Sequence, residues 1–298
     1  MEKEKTKKNG ELIKRLVTSA VIVLSVAGAF VLRQIPSLLK DRSPYDAETG
    51  KRIFDIMFYV FSLVSTYELL RAIKGKINFF EKVVVAVLAV LFVPVLAFLG
   101  LKAGLVMICV AVGLVFCDFV FSYKIKTMES AGYALVAICY PTILLAAPHY
   151  INHRIGFIPL LLLFVVSSFS DSGAYIVGSL VKGRKLCPEI SPKKTVSGAI
   201  GGLIAGIIGA LIVFIFVRGR MASLGTWLGI AIMITAGLFG SVATQFGDLV
   251  ESEIKRKLGV KDFGNIIVGH GGMLDRIDGF LFNAVFIALF FSFIEIIL

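Results

Sequence analysis

Nine stretches of roughly 20 apolar residues, joined by short polar connections, restrict this 298-residue chain to a membrane-embedded fold. They run over 16–32, 53–70, 83–99, 103–121, 131–148, 155–181, 197–217, 224–250 and 277–298. About 20 such residues, rising ~1.5 Å each, cross the ~30 Å hydrocarbon layer of a bilayer as an α-helix. Only 17% of the residues are charged, against about 25% in soluble domains. The stretches are continuous runs of Val, Leu, Ile, Ala and Phe without the alternation of barrel strands. The expected fold class is therefore all-α: a polytopic integral membrane protein of about nine transmembrane helices, each bonding its own backbone. The sixth and eighth stretches are long enough to emerge into water or to be broken.

A basic run (Lys3, Lys5, Lys7, Lys8, Lys14, Arg15) precedes the first stretch in the manner of a signal peptide. No small-residue cleavage site followed by a soluble domain appears, so the first stretch is expected to be a retained helix. With the N-terminus inside, inner connections hold 22 of the 31 Lys and Arg and outer ones hold 9. That bias predicts a cytoplasmic N-terminus, an external C-terminus, and connections 182–196 and 251–276 together on the cytoplasmic face. The outer loop 33–52 is itself basic, though Asp41, Asp46 and Glu48 dilute it. The net charge of +11 suits a protein bordering anionic membrane lipid. No basic and aromatic stacking platform accompanies it, so nucleic acid is not an expected partner. Cys109, Cys117, Cys139 and Cys187 show no metal or CxxC spacing and are expected as free thiols. The chain reads as one structural unit, with residues 1–150 as scaffold and 151–298 carrying the site.

Ionisable side chains at the edge of hydrocarbon are costly unless paired, hydrated or bound to an ion, and they collect between Gly247 and Gly279. Asp248, Glu251, Ser252, Lys255 and Arg256 fall on one face of a helix at i, i+3, i+4, i+7 and i+8. Asp275 and Asp278, three apart at the start of the last stretch, can both face inward beside Asp248. Clustered carboxylates repel unless they share a proton or a cation, and hard oxygen ligands favour Mg²⁺. Between the two groups stand Lys261, Asp262, Gly264, His270, Gly271 and Gly272. The glycines allow backbone N–H groups to approach an anion, and a helix starting near Leu274 would add the positive end of its dipole. Lys255, Arg256, Lys261 and Arg276 supply charge for several phosphates. An ordinary juxtamembrane loop with surface ion pairs is the structural alternative.

A second constellation lies upstream: Ser170-Asp171-Ser172-Gly173-Ala174-Tyr175, then Ser191-Pro192-Lys193-Lys194-Thr195. Asp171 is expected in or near the membrane, either as a third carboxylate or as a packing contact hydrogen-bonded by Ser170 and Ser172. The later stretch reads as a proline turn followed by Thr195 as a helix N-cap. Lys193 and Lys194 close the site from that loop or simply anchor it to the inner face. Asp55, Glu68 and Asp118, each near the end of an apolar stretch, are expected to snorkel or to pair with Arg52, Arg71 or Lys124, in structural more than catalytic roles. His149 and His153 are expected at the outer interface.

The pattern S252-x-x-K255-R256-x(4)-K261-D262-x-G264-x(5)-H270-G271-G272-x-x-D275-R276-x-D278 resembles the motif of the phosphatidate cytidylyltransferases, the CDP-diacylglycerol synthases. The upstream DSGAY and SPKKT stretches resemble that family's in the same order, so the likeness covers at least Phe169 to Gly279. It implies CTP and inner-leaflet phosphatidate as substrates, CDP-diacylglycerol and pyrophosphate as products, and Mg²⁺ as cofactor. On that reading Asp248 and Asp275, joined by Asp171, hold Mg²⁺ as one ion or a pair. Lys255, Arg256, Lys261, Arg276, Lys193 and Lys194 then bind phosphates. His270 donates to a phosphate or orders the glycine loop, and Ser252, Asp262, Gly271, Gly272 and Asp278 complete the binding surface. Ser197, Val268 and Gly279 depart from the family's usual Glu or Gln, Pro and Ser.

Two other functions compete. D275-R-I-D278-G279 echoes the start of the CDP-alcohol phosphotransferase pattern, but the following Arg and the later D-x-x-x-D are missing. An ion-coupled transporter would use membrane carboxylates too, yet it predicts inverted repeats and polar residues near the midplane of several helices. Glycines 198, 201, 202, 206 and 209 offer a small-residue face for a homodimer or for packing within one chain.

Overall fold

The computed structural model describes residues 21–297 except 22, 40–42, 123–126, 223–224 and 267–270. Helices come in the order α1 (Val23–Leu39), α2 (Ala47–Ala72), α3 (Phe79–Leu99), α4 (Leu101–Phe121), α5 (Met128–Ala137) and α6 (Ala146–Tyr150). Next are α7 (Phe157–Val181), α8 (Val196–Val217), α9 (Thr226–Leu258) and α10 (Leu274–Ile297). Among the described residues, eight helical runs are long and apolar enough to cross a bilayer, and Val23–Leu39 is shorter. The all-α membrane fold expected from the sequence is the fold observed.

Three local features differ from expectation. The connection expected at 149–154 is helical, because Met128–Ile155 forms one run containing two wide turns, Ile138–Ile143 and Ile151–Ile155. Pro141 has no N–H to give, and beside it the Leu144 N–H bonds to Cys139 O five residues back at 3.3 Å. The stretch Ser191–Thr195, expected as a turn, is a β-strand (β2) paired antiparallel with β1 (Lys185–Cys187). Pro192 is tolerated there because a two-stranded ribbon leaves each strand an unpaired edge. Finally, α2 begins at Ala47, where Asp46 caps it by accepting the Thr49 N–H at 2.8 Å.

The chain divides into two compact units: Met1–His149 with Lys261–Asp275, and Tyr150–Val260 with Arg276–Leu298. The first is filled by large side chains, among them Phe54, Phe58, Leu69, Leu88, Phe92 and Ile138, all essentially inaccessible. Phe54 and Phe58 meet edge to face with centroids 5.4 Å apart. Gly100, at φ 82°, both ends α3 and opens α4. Asp55 lies 3.0 Å from His149 Nδ1, and Asp118 accepts from Asn78 at 2.9 Å. Lys124, its expected partner, lies outside the described residues.

In the second unit α7 and α8 pack through their glycines. A Cβ on Gly201 would lie 2.5 Å from a Val177 methyl, and one on Gly198 would lie 2.8 Å from the Ala174 carbonyl. Gly206 and Gly209 face Ser241 and Phe169 in the same way. The glycine face offered for a homodimer or for packing within one chain packs against α7 and α9 of the same chain. Behind it, Asn283 donates to Ser167 Oγ at 2.9 Å, and Thr244 donates to Gly240 O at 2.9 Å. All four cysteines are free thiols.

Candidate active site

Helix α9 carries the predicted stripe and explains why the eighth apolar stretch ran long. Its 33 residues span ~50 Å, well beyond ~30 Å of hydrocarbon, so its last turns can be polar. Lys255, Arg256 and Lys257 occupy the final turn, where cations suit the helix dipole. Gly259 then closes the helix in the left-handed region at φ 71°. Glu251 is buried and pairs with Lys255 at 2.5 Å, so the stripe is internally neutralised at its centre.

The hairpin meets this helix at two points. Lys194 Nζ donates to Asp248 Oδ2 at 2.9 Å, and Arg256 Nε donates to the Ile190 carbonyl at 3.2 Å. Thr195 fixes the exit of the hairpin by accepting the Gly198 N–H at 3.1 Å as the N-cap of α8. Ser197, where the motif led one to expect Glu or Gln, donates to the Lys182 carbonyl and contacts Thr195 Oγ1. Its hydroxyl ties the two ends of the hairpin connection together. Lys193 points from β2 as an exposed cation.

Asp171 and Asp278 complete the charged cluster of the second unit. Asp171 lies within the electrostatic reach of Asp248, Lys194 and Arg276, and Asp278 within that of Asp248, Glu251 and Asp171. The approach of α9 to α10 that makes this happen depends on Gly247 and Gly279. A Cβ on Gly247 would sit 2.7 Å from the Asp278 carbonyl, and one on Gly279 would sit 3.0 Å from Asp248 Oδ1. The packing-contact reading of Asp171 loses one support, because Ser170 Oγ is buried without a hydrogen-bond partner among the described residues. Ser252 lies part-buried on the same face of α9.

The rest of the motif belongs to the first unit. Asp275, in the first turn of α10, accepts the N–H of Gly272 at 2.8 Å and of Phe263 at 3.1 Å. Gly271 adopts φ 90° beside it. Glu68 of α2 accepts the Leu274 N–H at 3.0 Å and fills the space left by Gly264 and Gly272. Two of the glycines thus make room for a carboxylate of the protein itself, a role distinct from the anion contact expected of them. Glu68 was expected to pair with Arg71; its acceptor role was not visible because its partner is 206 residues away in sequence. Lys261 and Asp262 are exposed, and His270 lies outside the described residues.

Of the predicted ligands, Asp171 and Asp248 belong to the second unit and Asp275 to the first; the carboxylates of the second-unit cluster are hard oxygen donors of the kind a divalent ion takes. Three carboxylates at Asp171, Asp248 and Asp278 act on one another, which favours a cation among them.

The sequence profile of the cytidylyltransferase family matches residues 47–294, most of the chain. The chain belongs to that family. Among its relatives, the phosphatidate cytidylyltransferase of Bacillus subtilis is 35% identical over 80% of this chain and 88% of its own length. Those of Staphylococcus saprophyticus and Staphylococcus haemolyticus are 49% and 44% identical over 41% and 45% of this chain. Against these last two, the chain spans about half the length of the curated relatives it matches, 45% and 48%.

Proposed function

We propose that this chain transfers a cytidylyl group from CTP to phosphatidate, giving CDP-diacylglycerol and pyrophosphate in phospholipid biosynthesis. The observation that carries the reading is the second-unit cluster of Asp171, Lys194, Asp248, Arg276 and Asp278, which unites both motif stretches of a cytidylyltransferase. The CDP-alcohol phosphotransferase pattern is incomplete here, lacking its Arg and later D-x-x-x-D, and the cytidylyltransferase match over residues 47–294 favours neither that reading nor a transporter.

Phosphatidate is already an oxyanion, so the reaction requires charge neutralisation and alignment, with no nucleophile from the protein. A phosphatidate oxygen attacks the α-phosphorus of CTP, forming one P–O bond as the bond to the β-phosphate oxygen breaks and pyrophosphate leaves. Mg²⁺ held by Asp248 and Asp275, with Asp171, would stabilise charge on the phosphoryl oxygens, as one ion or two. Lys255, Arg256, Lys261 and Arg276 bind phosphates, and Lys193 and Lys194 reach them from the hairpin. His270, Ser252, Asp262, Gly271, Gly272 and Asp278 shape the nucleotide-binding surface. In this reading the site faces the cytosol for CTP and the inner leaflet for the lipid, and the N-terminus is cytoplasmic among anionic headgroups.

The test is turnover by purified protein in detergent with labelled CTP, phosphatidate and Mg²⁺, beside a parallel assay with CDP-diacylglycerol and an alcohol. CDP-diacylglycerol and pyrophosphate should form in the first, with no product in the second. Full turnover and unchanged Mg²⁺ dependence in a folded Asp275→Asn variant would sink the metal assignment.

A further inference from the structure

Glu68 is 1% exposed, buried under the first turn of α10. Its Oε2 accepts the Leu274 N–H at 3.0 Å, and the Met273 N–H adds a second contact. Its Oε1 is buried without a hydrogen-bond partner among the described residues. The carboxylate is held between two glycines. A Cβ on Gly272 would come within 2.6 Å of Oε2, and one on Gly264 would collide with Oε1.

Capping a helix does not require this arrangement. A local Ser, Thr, Asn or Asp would serve, whereas a buried carboxylate with one unbonded oxygen is costly. The residues before α10 are Gly272 and Met273, which have no capping oxygen in their side chains, and the acceptor comes from α2 instead. What the long-range carboxylate adds is a fixed orientation of the turn that carries Asp275. Asp275 spends the oxygen Oδ2 on the N–H groups of Gly272, itself one of Glu68's glycine seats, and of Phe263, which precedes the other.

We propose that Glu68 is a positioning residue for Asp275. Clamped by Gly264 and Gly272, it locks the Gly272–Asp275 turn so that the Asp275 carboxylate presents one orientation to a divalent cation. The proposal rests on the reading of Asp275 as a cation ligand. Residues that orient a metal ligand typically change affinity by about 10- to 100-fold when altered.

The experiment uses the full chain in detergent and avoids turnover altogether. Amide hydrogen exchange is followed in metal-free protein over the peptide containing Gly272–Asp275, and Mn²⁺ binding is measured by electron paramagnetic resonance without nucleotide. Glu68→Gln should speed exchange in that peptide alone and weaken Mn²⁺ binding by about 10-fold. Glu68→Asp, which keeps a carboxyl group on a shorter arm, should weaken it less than Glu68→Gln does. Gly272→Ala, which pushes the carboxylate off its seat, should reproduce the Glu68→Gln effect in a protein that retains Glu68, and the two changes together should not add. Unchanged exchange and unchanged Mn²⁺ affinity in Glu68→Gln would overturn the proposal, and so would a loss of thermal stability with Mn²⁺ affinity intact. Asp275→Asn separates the two readings: if it binds Mn²⁺ as wild type does, the ligand assignment fails, whereas the exchange result still judges Glu68.

Discussion

The first unit is filled by bulk, with Phe54, Phe58, Leu69, Leu88 and Phe92 fully enclosed, whereas the second joins α7 to α8 through Gly173, Gly178, Gly198 and Gly201. Large interlocking side chains hold helices at a distance set by their bulk. Bare glycine contacts let two backbones nearly touch, which draws the polar residues along and beyond those helices, Asp171 on one and Lys194 just before the other, toward a single cluster. Within a bilayer, where lipid tails are as apolar as Leu, close packing is the main force such a seam has. The first unit should therefore fail when its side chains are made smaller, and the second when they are made larger.

The sharpest break in this comparison concerns chemistry. Asp248→Asn removes the charge that pairs with Lys194, and turnover should fall by roughly 10³-fold with folding retained, as measured by steady-state cytidylyl transfer. Truncation in the first unit comes next: Phe58→Ala should destabilise by about 3 kcal/mol, near the low end for such a change because lipid replaces water as the unfolded surroundings. Enlargement in the second unit follows. Gly201→Leu, driven into Val177, should cost about 2 kcal/mol, read as a lowered midpoint of thermal unfolding in one detergent. The smallest effect has the opposite sign. Gly113 of α4 in the first unit has open space where a Cβ would go, so Gly113→Ala should stabilise by about 0.5–1 kcal/mol. A destabilised Gly113→Ala beside a tolerated Gly201→Leu would reverse the comparison.

The spans and the charged motif were legible because each depends on near neighbours in sequence. Apolar length alone marks a helix in lipid, and the spacing of Asp248, Glu251, Ser252, Lys255 and Arg256 fixes one face. Thr195 as a cap was readable for the same reason. Three features were not. The hairpin at 185–195 exists because its strands pair with each other and its side chains reach α9, which no local signal announces. The first wide turn in Met128–Ile155 arises where Pro141 cannot donate, a consequence usually read as a break. The role of Glu68 depends on a partner in α10, and an acid near the end of an apolar segment looks the same whether it caps a distant helix or meets Arg71.

The eight residues by which α9 outruns its apolar stretch make a mast of fixed pitch. Because each residue turns the helix by ~100°, losing or gaining one between Asp248 and Lys255 would swing the cations a quarter-turn or more around the shaft while leaving composition and hydropathy untouched. Evolution can exchange letters along that segment far more freely than it can change their number.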